Sequence, residues 1–196
     1  MQTKLLLICS LMLLSIIISC KDSSTSPNTS STDIFPNKLG SNWIYAHHDS
    51  LSHLSDTLTV TIVGATTLSN NQSAMIWQYR RSTNIDTVYV FNAGDTVRFV
   101  TNTHSFRILF PLQIGSKWGG DYLNDTIRIL QKAPISVVAG TFADSYEIQE
   151  TWGGLNDYGQ FTRWFVPNAG FVRIYHTGAS FGMANETFEL INYSIR

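Results

Sequence analysis

The residue types that could do chemistry gather in a few short stretches. "AHHDSLSH", Ala46 to His53, brings His47, His48, Asp49 and His53 close together, with Asp56 just beyond. Neutral imidazoles and carboxylates suit zinc or copper. If a strand continues from Trp43, however, His47 and His48 point to opposite faces and cannot share one ion without a bend. A solvated loop accounts for the segment, and no metal or other cofactor is expected. "GASFG", Gly178 to Gly182, has the Gly-x-Ser-x-Gly form of a nucleophile elbow. An elbow needs a helix after the serine and Asp and His later in the chain. Beyond Ser180 come only Glu186, Glu189 and one more strand-like segment, with no His. Asp144 with Glu147 or Glu150 could serve glycoside cleavage. On one strand Asp144 and Glu150 would stand some ~20 Å apart on a shared face, too far for that chemistry. Solvated strand edges are the expectation for both, and the protein is expected to be non-enzymatic.

Aromatic side chains offer binding chemistry instead. Five Trp, eight Tyr and eleven Phe make 12% of the chain, nearly as much as the 14% that is charged. Flat rings flanked by Asn and Asp can stack on sugars, and "ETWGGLNDYGQF" groups Trp152, Asn156, Asp157 and Tyr158 as a candidate ligand-binding set. Most of the aromatic content is expected to serve the core and cross-strand pairs. A second pattern, Asp-(Ser/Thr)-apolar, resembles the O-glycosylation acceptor of Bacteroidota envelope proteins and marks Thr57, Thr87, Thr96 and Thr126 as candidates. A turn Asp leading into a Thr-Val strand generates the same pattern without modification.

Address is written at the amino terminus. Lys4 precedes an uncharged apolar run from Leu5 to Ile18, followed by Ser19 and Cys20. That is the form of a secretory leader, too short for a permanent span. "IISC" at residues 17–20 resembles the bacterial lipobox, which makes residues 1–19 the signal peptide and Cys20 the lipidated first residue of the mature chain. The resemblance implies a diacylglycerol thioether and further acylation, palmitate for instance. With about 0.8 kcal/mol gained per buried methylene, several acyl chains hold permanently. Only Cys9 and Cys20 exist, and Cys9 leaves with the leader, so disulfides and thiolate metal sites are excluded. Residues 20–33 are rich in Ser and Thr and read as a tether reaching on the order of 20 Å. Without Lys4, 12 basic residues face 14 acidic ones, which disfavours nucleic acid and anionic lipid surfaces as partners.

Positioning falls to a body at residues 34–196 that reads as a single all-β domain. Segments such as "DTLTVTIVGATTL", "DTVYVFNAG" and "ETFELINYSIR" alternate apolar and polar residues, and turn residues bound them. Such spacing predicts an antiparallel sandwich, a barrel or a curved sheet. "FPNKLGSNW" at residues 35–43 and "FPLQIGSKW" at 110–118 nearly repeat. An offset of 75 aligns Phe35, Pro36, Gly40, Ser41 and Trp43 with Phe110, Pro111, Gly115, Ser116 and Trp118, and also Trp77 with Trp152. Two tandem β repeats, about 35–109 and 110–196, follow, each opened by a Gly turn and a Phe/Trp plug at one end of the sheet. Asn92-Ala93-Gly94 and Asn168-Ala169-Gly170 read as matching hairpin loops.

"FPLQIGSKW", "VVAGTFADSYEI" and "VPNAGFVRIY…ETFELINYSI" together resemble poorly characterised secreted proteins and lipoproteins of Bacteroidota and related bacteria. The resemblance implies an envelope location and no particular activity. The expectation is an outer-membrane protein, lipid-anchored and facing the periplasm or the cell surface. It would bind or assemble with a glycan or an envelope protein as partner.

Overall fold

A computed structural model describes residues 34–196, except 83, 102–103, 121–123, 155–156 and 180–182. Cys20 and the leader therefore lie outside the described residues.

Among the described residues the alternating segments form twelve strands, every pair antiparallel. The first half contributes β1 (Asn42–Asp49), β2 (Leu54–Thr67), β3 (Ser73–Arg80), β4 (Ile85–Ala93), β5 (Thr96–Val100) and β6 (Ser105–Leu109). The second contributes β7 (Lys117–Gly119), β8 (Thr126–Val137), β9 (Gly140–Gly153), β10 (Tyr158–Val166), β11 (Gly170–Ala179) and β12 (Met183–Ser194). They make one sheet in the order β6-β5-β4-β3-β2-β1-β12-β11-β10-β9-β8-β7. Each half is a meander, and the two join where the first strand pairs with the last.

Of the three expected architectures, the curved open sheet is the one formed. Its edge strands β6 and β7 are neighbours in sequence, and curvature brings them side by side. Trp118 Nε1 donates to the Arg107 carbonyl at 3.2 Å, and Arg107 Nε donates to the Gly119 carbonyl at 3.1 Å. Side chains therefore seam the edges where no backbone ladder runs, which protects strands that would otherwise offer unpaired amides.

The repeated word is the same turn built twice. Gly40 and Gly115 have φ of +83° and +84°, a region that residues with a Cβ rarely enter. Gly40 N–H donates to the Ile62 carbonyl as Gly115 N–H does to Ile129, and Ser41 and Ser116 accept in return from Ile62 and Ile129. Downstream the offset of 75 breaks, because Ile62 and Ile129 stand only 67 apart. The longer strands of the β1–β2 hairpin absorb the difference, β1 having 8 residues where β7 has 3. Trp77 opposes Ile62 as Ile148 opposes Ile129. Trp77 and Trp152 thus hold different places, although the ungapped comparison aligns them.

The plug is also asymmetric. Phe35 and Phe110 are both buried and both pack on Phe165, with ring centroids 5.9 and 6.1 Å away. Trp43 stacks on Trp77 at 4.9 Å and donates to the Ala169 carbonyl at 2.6 Å. Trp118 is only half-buried and serves the seam. These rings fill the end of the sheet at which the chain comes in, where Ile34 O accepts from Asn168 N–H. The hairpins β1–β2, β3–β4, β5–β6, β9–β10 and β11–β12 turn at the opposite end.

Candidate functional site

The register lines up a row of side chains on the interior face toward that hairpin end. Trp43, Tyr45 and His47 alternate inward on β1. His47 pairs with Asp56 on β2 and with Phe188 on β12. His176 on β11 pairs with Glu186 on β12 and with Phe161 on β10, and Phe161 pairs with Glu150 on β9. Directly opposite residues share a face, so Asp56, His47, Glu186, His176, Phe161 and Glu150 form one belt across six strands.

The belt has two polar clusters joined by stacked rings. In the first, His47 is 2% exposed; its Nδ1 lies 2.6 Å from Asp56 Oδ1 and its Nε2 3.1 Å from Glu186 Oε1. Arg81 Nε donates to Asp56 Oδ2 at 3.1 Å, and His176 Nδ1 lies 3.1 Å from Glu186 Oε2. In the second, Glu150 is 0% exposed, with Oε2 accepting from Arg163 at 2.6 Å and Oε1 lying 3.4 Å from His104 Nε2. The Arg163 guanidinium lies over the rings of Phe106 and Phe161, 3.9 and 4.4 Å from their centroids. Between the clusters His176 stacks on Phe161 at 4.2 Å, and Trp152 packs against both.

Three carboxylates are held below their ordinary range. Burial works against ionisation of Glu150, but the charge of Arg163 and the contact with His104 outweigh it. Asp56 likewise overcomes burial through Arg81 and His47. For Glu186 the hydrogen bond with His176 leads, burial opposes it, and His47 adds to it. A depressed folded value stabilises the fold above the unfolded pKa of about 4 and is lost as pH falls through the folded value. The urea midpoint of the wild type should therefore drop steeply below about pH 4. Glu186→Gln should make that drop shallower; a midpoint independent of pH between 5 and 2.5 would contradict the assignment.

A cavity of about 250 Å³ lies inside the belt. Leu58, Val88, Phe99, Phe171, Ile174 and Phe188, with Phe106 and Phe161, make most of its wall. Tyr79, Thr101, His104 and Arg163 supply its polar groups. His104, Thr101 and Phe161 also border a wider adjoining cleft lined by Ile85, Asp86, Thr87 and Tyr89.

The residues singled out from sequence fall as follows. His48 turns to the other face and meets Ser55 Oγ at 3.0 Å, while His53 sits in the β1–β2 turn with φ of +56°. Among the described residues no group of three His, Cys, Asp or Glu is arranged to hold a metal. Trp152 faces inward over Gly159, whereas Tyr158 is 52% exposed and, by register, on the opposite face. Asp157 is exposed, and Asn156 and Ser180 lie outside the described residues. Thr57 and Thr87 are exposed; Thr96 and Thr126 are half-buried. Asp144 is solvated and pairs with Lys132 at 2.8 Å. Glu150, expected on a solvated edge, is instead buried outright, because Arg163 across β10 neutralises it.

No family model matches the sequence. No curated protein matches it either. Among solved structures the chain is similar to a candidate lipoprotein from Parabacteroides distasonis, with 14% identity and a TM-score of 0.52. It is similar also to a candidate exported protein with a YmcC-like fold from Bacteroides fragilis, with 11% identity and a TM-score of 0.54. Both alignments cover 82% of this chain and 98% of the other. At these identities the likeness is one of fold.

Proposed function

We propose that the protein is an exported, lipid-anchored binding protein of the outer membrane that holds a small apolar ligand inside its curved sheet, without catalysis. The observation that carries this reading is the 250 Å³ cavity, walled by aliphatic and aromatic side chains and opening at the hairpin end. A β interior of this size suits one small ligand, and apolar surface leaving water drives its capture. The titratable groups of the belt are engaged with one another, which suits a binding wall better than a reaction centre. The leader, Cys20 and the names of the two structural neighbours support the envelope location. A glycan platform made of Trp152 and Tyr158 would want both rings on one face, and the β9–β10 register separates them.

Titrating the mature chain carrying Cys20→Ala with the neutral dye N-phenyl-1-naphthylamine tests the cavity. Saturable one-site binding is expected, weakened at least tenfold by Val88→Trp, which fills the space with an indole. Circular dichroism and the urea midpoint check that the variant folds. Absence of saturable binding, or a folded Val88→Trp chain that binds as the wild type does, would reject the reading.

A further inference from the structure

The polar groups of the cavity have a chemistry that specifies more than an apolar occupant. Arg163 is the cation of the wall, and its charge is already balanced by Glu150 at 2.6 Å. An anionic ligand would add an uncompensated charge beside that pair, in apolar surroundings where such charge is strongly penalised. An ammonium would face the guanidinium. What the wall still offers is donors. A guanidinium carries five N–H groups, and the described hydrogen bonds of Arg163 use one of its terminal nitrogens, on Glu150 Oε2. Tyr79 lines the same cavity within electrostatic reach of Arg163, and its hydroxyl makes no hydrogen bond with the described residues. Burial pushes the Tyr79 phenol up to about 12, so it remains an O–H donor at any physiological pH.

Resting on the cavity reading above, we propose that the site selects an apolar molecule bearing one uncharged oxygen acceptor, such as an ester or ketone carbonyl, which the Tyr79 hydroxyl and Arg163 guanidinium bind. The apolar wall takes the hydrocarbon part, and the two donors fix its orientation. Selectivity follows from the penalty on alternatives: a hydrocarbon leaves the donors unanswered, and a carboxylate disturbs the neutral Arg163–Glu150 pair.

The experiment is displacement of N-phenyl-1-naphthylamine from the Cys20→Ala mature chain by four matched probes: methyl octanoate, nonane, octanoate and octylamine. Methyl octanoate should bind about tenfold more tightly than nonane, the worth of one to two neutral hydrogen bonds. It should also outcompete both charged probes. Tyr79→Phe should remove most of the ester's advantage and leave nonane unchanged, which separates a lost donor from a damaged cavity. If nonane displaces the dye but the ester has no advantage, or Tyr79→Phe keeps that advantage, the carbonyl anchor is wrong and the apolar cavity stands. Stronger binding of octanoate than of its ester also overturns the anchor. If neither dye nor probes bind, both readings fall.

Discussion

Replacing Arg163 with methionine should lower the unfolding free energy by about 3–5 kcal/mol at pH 7, the cost of leaving a buried charge without its partner. Glu150 is fully buried, and Arg163 donates to its Oε2 at 2.6 Å. Methionine keeps much of the arginine's length and packs against Phe106 and Phe161, so lost volume contributes little. The pH dependence identifies the cause. In the wild type Glu150 is held below its ordinary range and stabilises the fold above about pH 4. Without Arg163 burial dominates and raises the carboxyl above its unfolded value. The variant then suffers most at neutral pH and recovers as acid neutralises Glu150, so the gap to the wild type should narrow between pH 7 and pH 4.5. Pairing Arg163→Met with Glu150→Leu should restore most of the stability, because both charges are then gone. By contrast, Asp144→Asn should leave the urea midpoint where it was, since the Lys132–Asp144 contact is washed by solvent. A loss below ~0.5 kcal/mol for Arg163→Met at pH 7 would mean that the pair is not the buried ion pair described.

Glu150 also shows where sequence reading reaches its limit. Alternation predicts strands well, since one face of each strand must be apolar if it lies on a core. The all-β class and most of the twelve strands follow from it. The same logic separates His47 from His48, and the structure turns them to opposite faces. The Phe-Pro…Gly-Ser-x-Trp word also carries local information, because the positive φ of Gly40 and Gly115 is a short-range property of the chain. The polar belt is different in kind. His47 and Glu186 are 139 residues apart and meet only because β1 pairs with β12. Nothing local encodes that pairing. A glutamate in "YEIQETW" looks solvated until the partner strand supplies an arginine diagonal to it. Asp56, Glu150 and His176 keep the parity of their apolar neighbours, and that was the available signal: a charged residue at an inward position implies a partner on another strand. The alignment of Trp77 with Trp152 fails for a related reason. Identity at a fixed offset ignores hairpin length, and the longer arms of β1 and β2 displace Trp77 from the position that Trp152 holds.

Phe165→Ala should be about as damaging as the loss of Arg163, at about 3–5 kcal/mol. The side chain is 0% exposed and lies where the two repeated phenylalanines converge. Phe35 stacks on it, Phe110 meets it edge-on, and Phe171 packs against it at 5.8 Å. Phe165 keeps the inward alternation of Phe161 and Arg163 on β10, and the register shift here falls on β11, where Val172 is passed over. Truncation to alanine removes the transfer energy of a whole ring. It also opens a void that three rigid rings, each fixed by other neighbours, cannot collapse to fill. Phe165→Leu should cost clearly less, because a branched aliphatic chain retains much of the contact. A double-mutant cycle with Phe35→Leu tests whether the plug works as a unit. Coupling of about 0.5–3 kcal/mol is expected for side chains in direct contact, and additivity would show that Phe35 and Phe165 stabilise the sheet separately. The functional consequence travels through Phe171, which touches Phe165 on one side and lines the ligand cavity on the other. If the filled end serves as the floor of the binding site, Phe165→Ala under conditions where it remains folded should weaken dye binding as well as stability. Val88→Trp, filling the cavity directly, should abolish binding with little loss of stability. Joint loss of stability and binding in Phe165→Ala, against loss of binding alone in Val88→Trp, would distinguish a floor that supports the cavity from a wall that forms it.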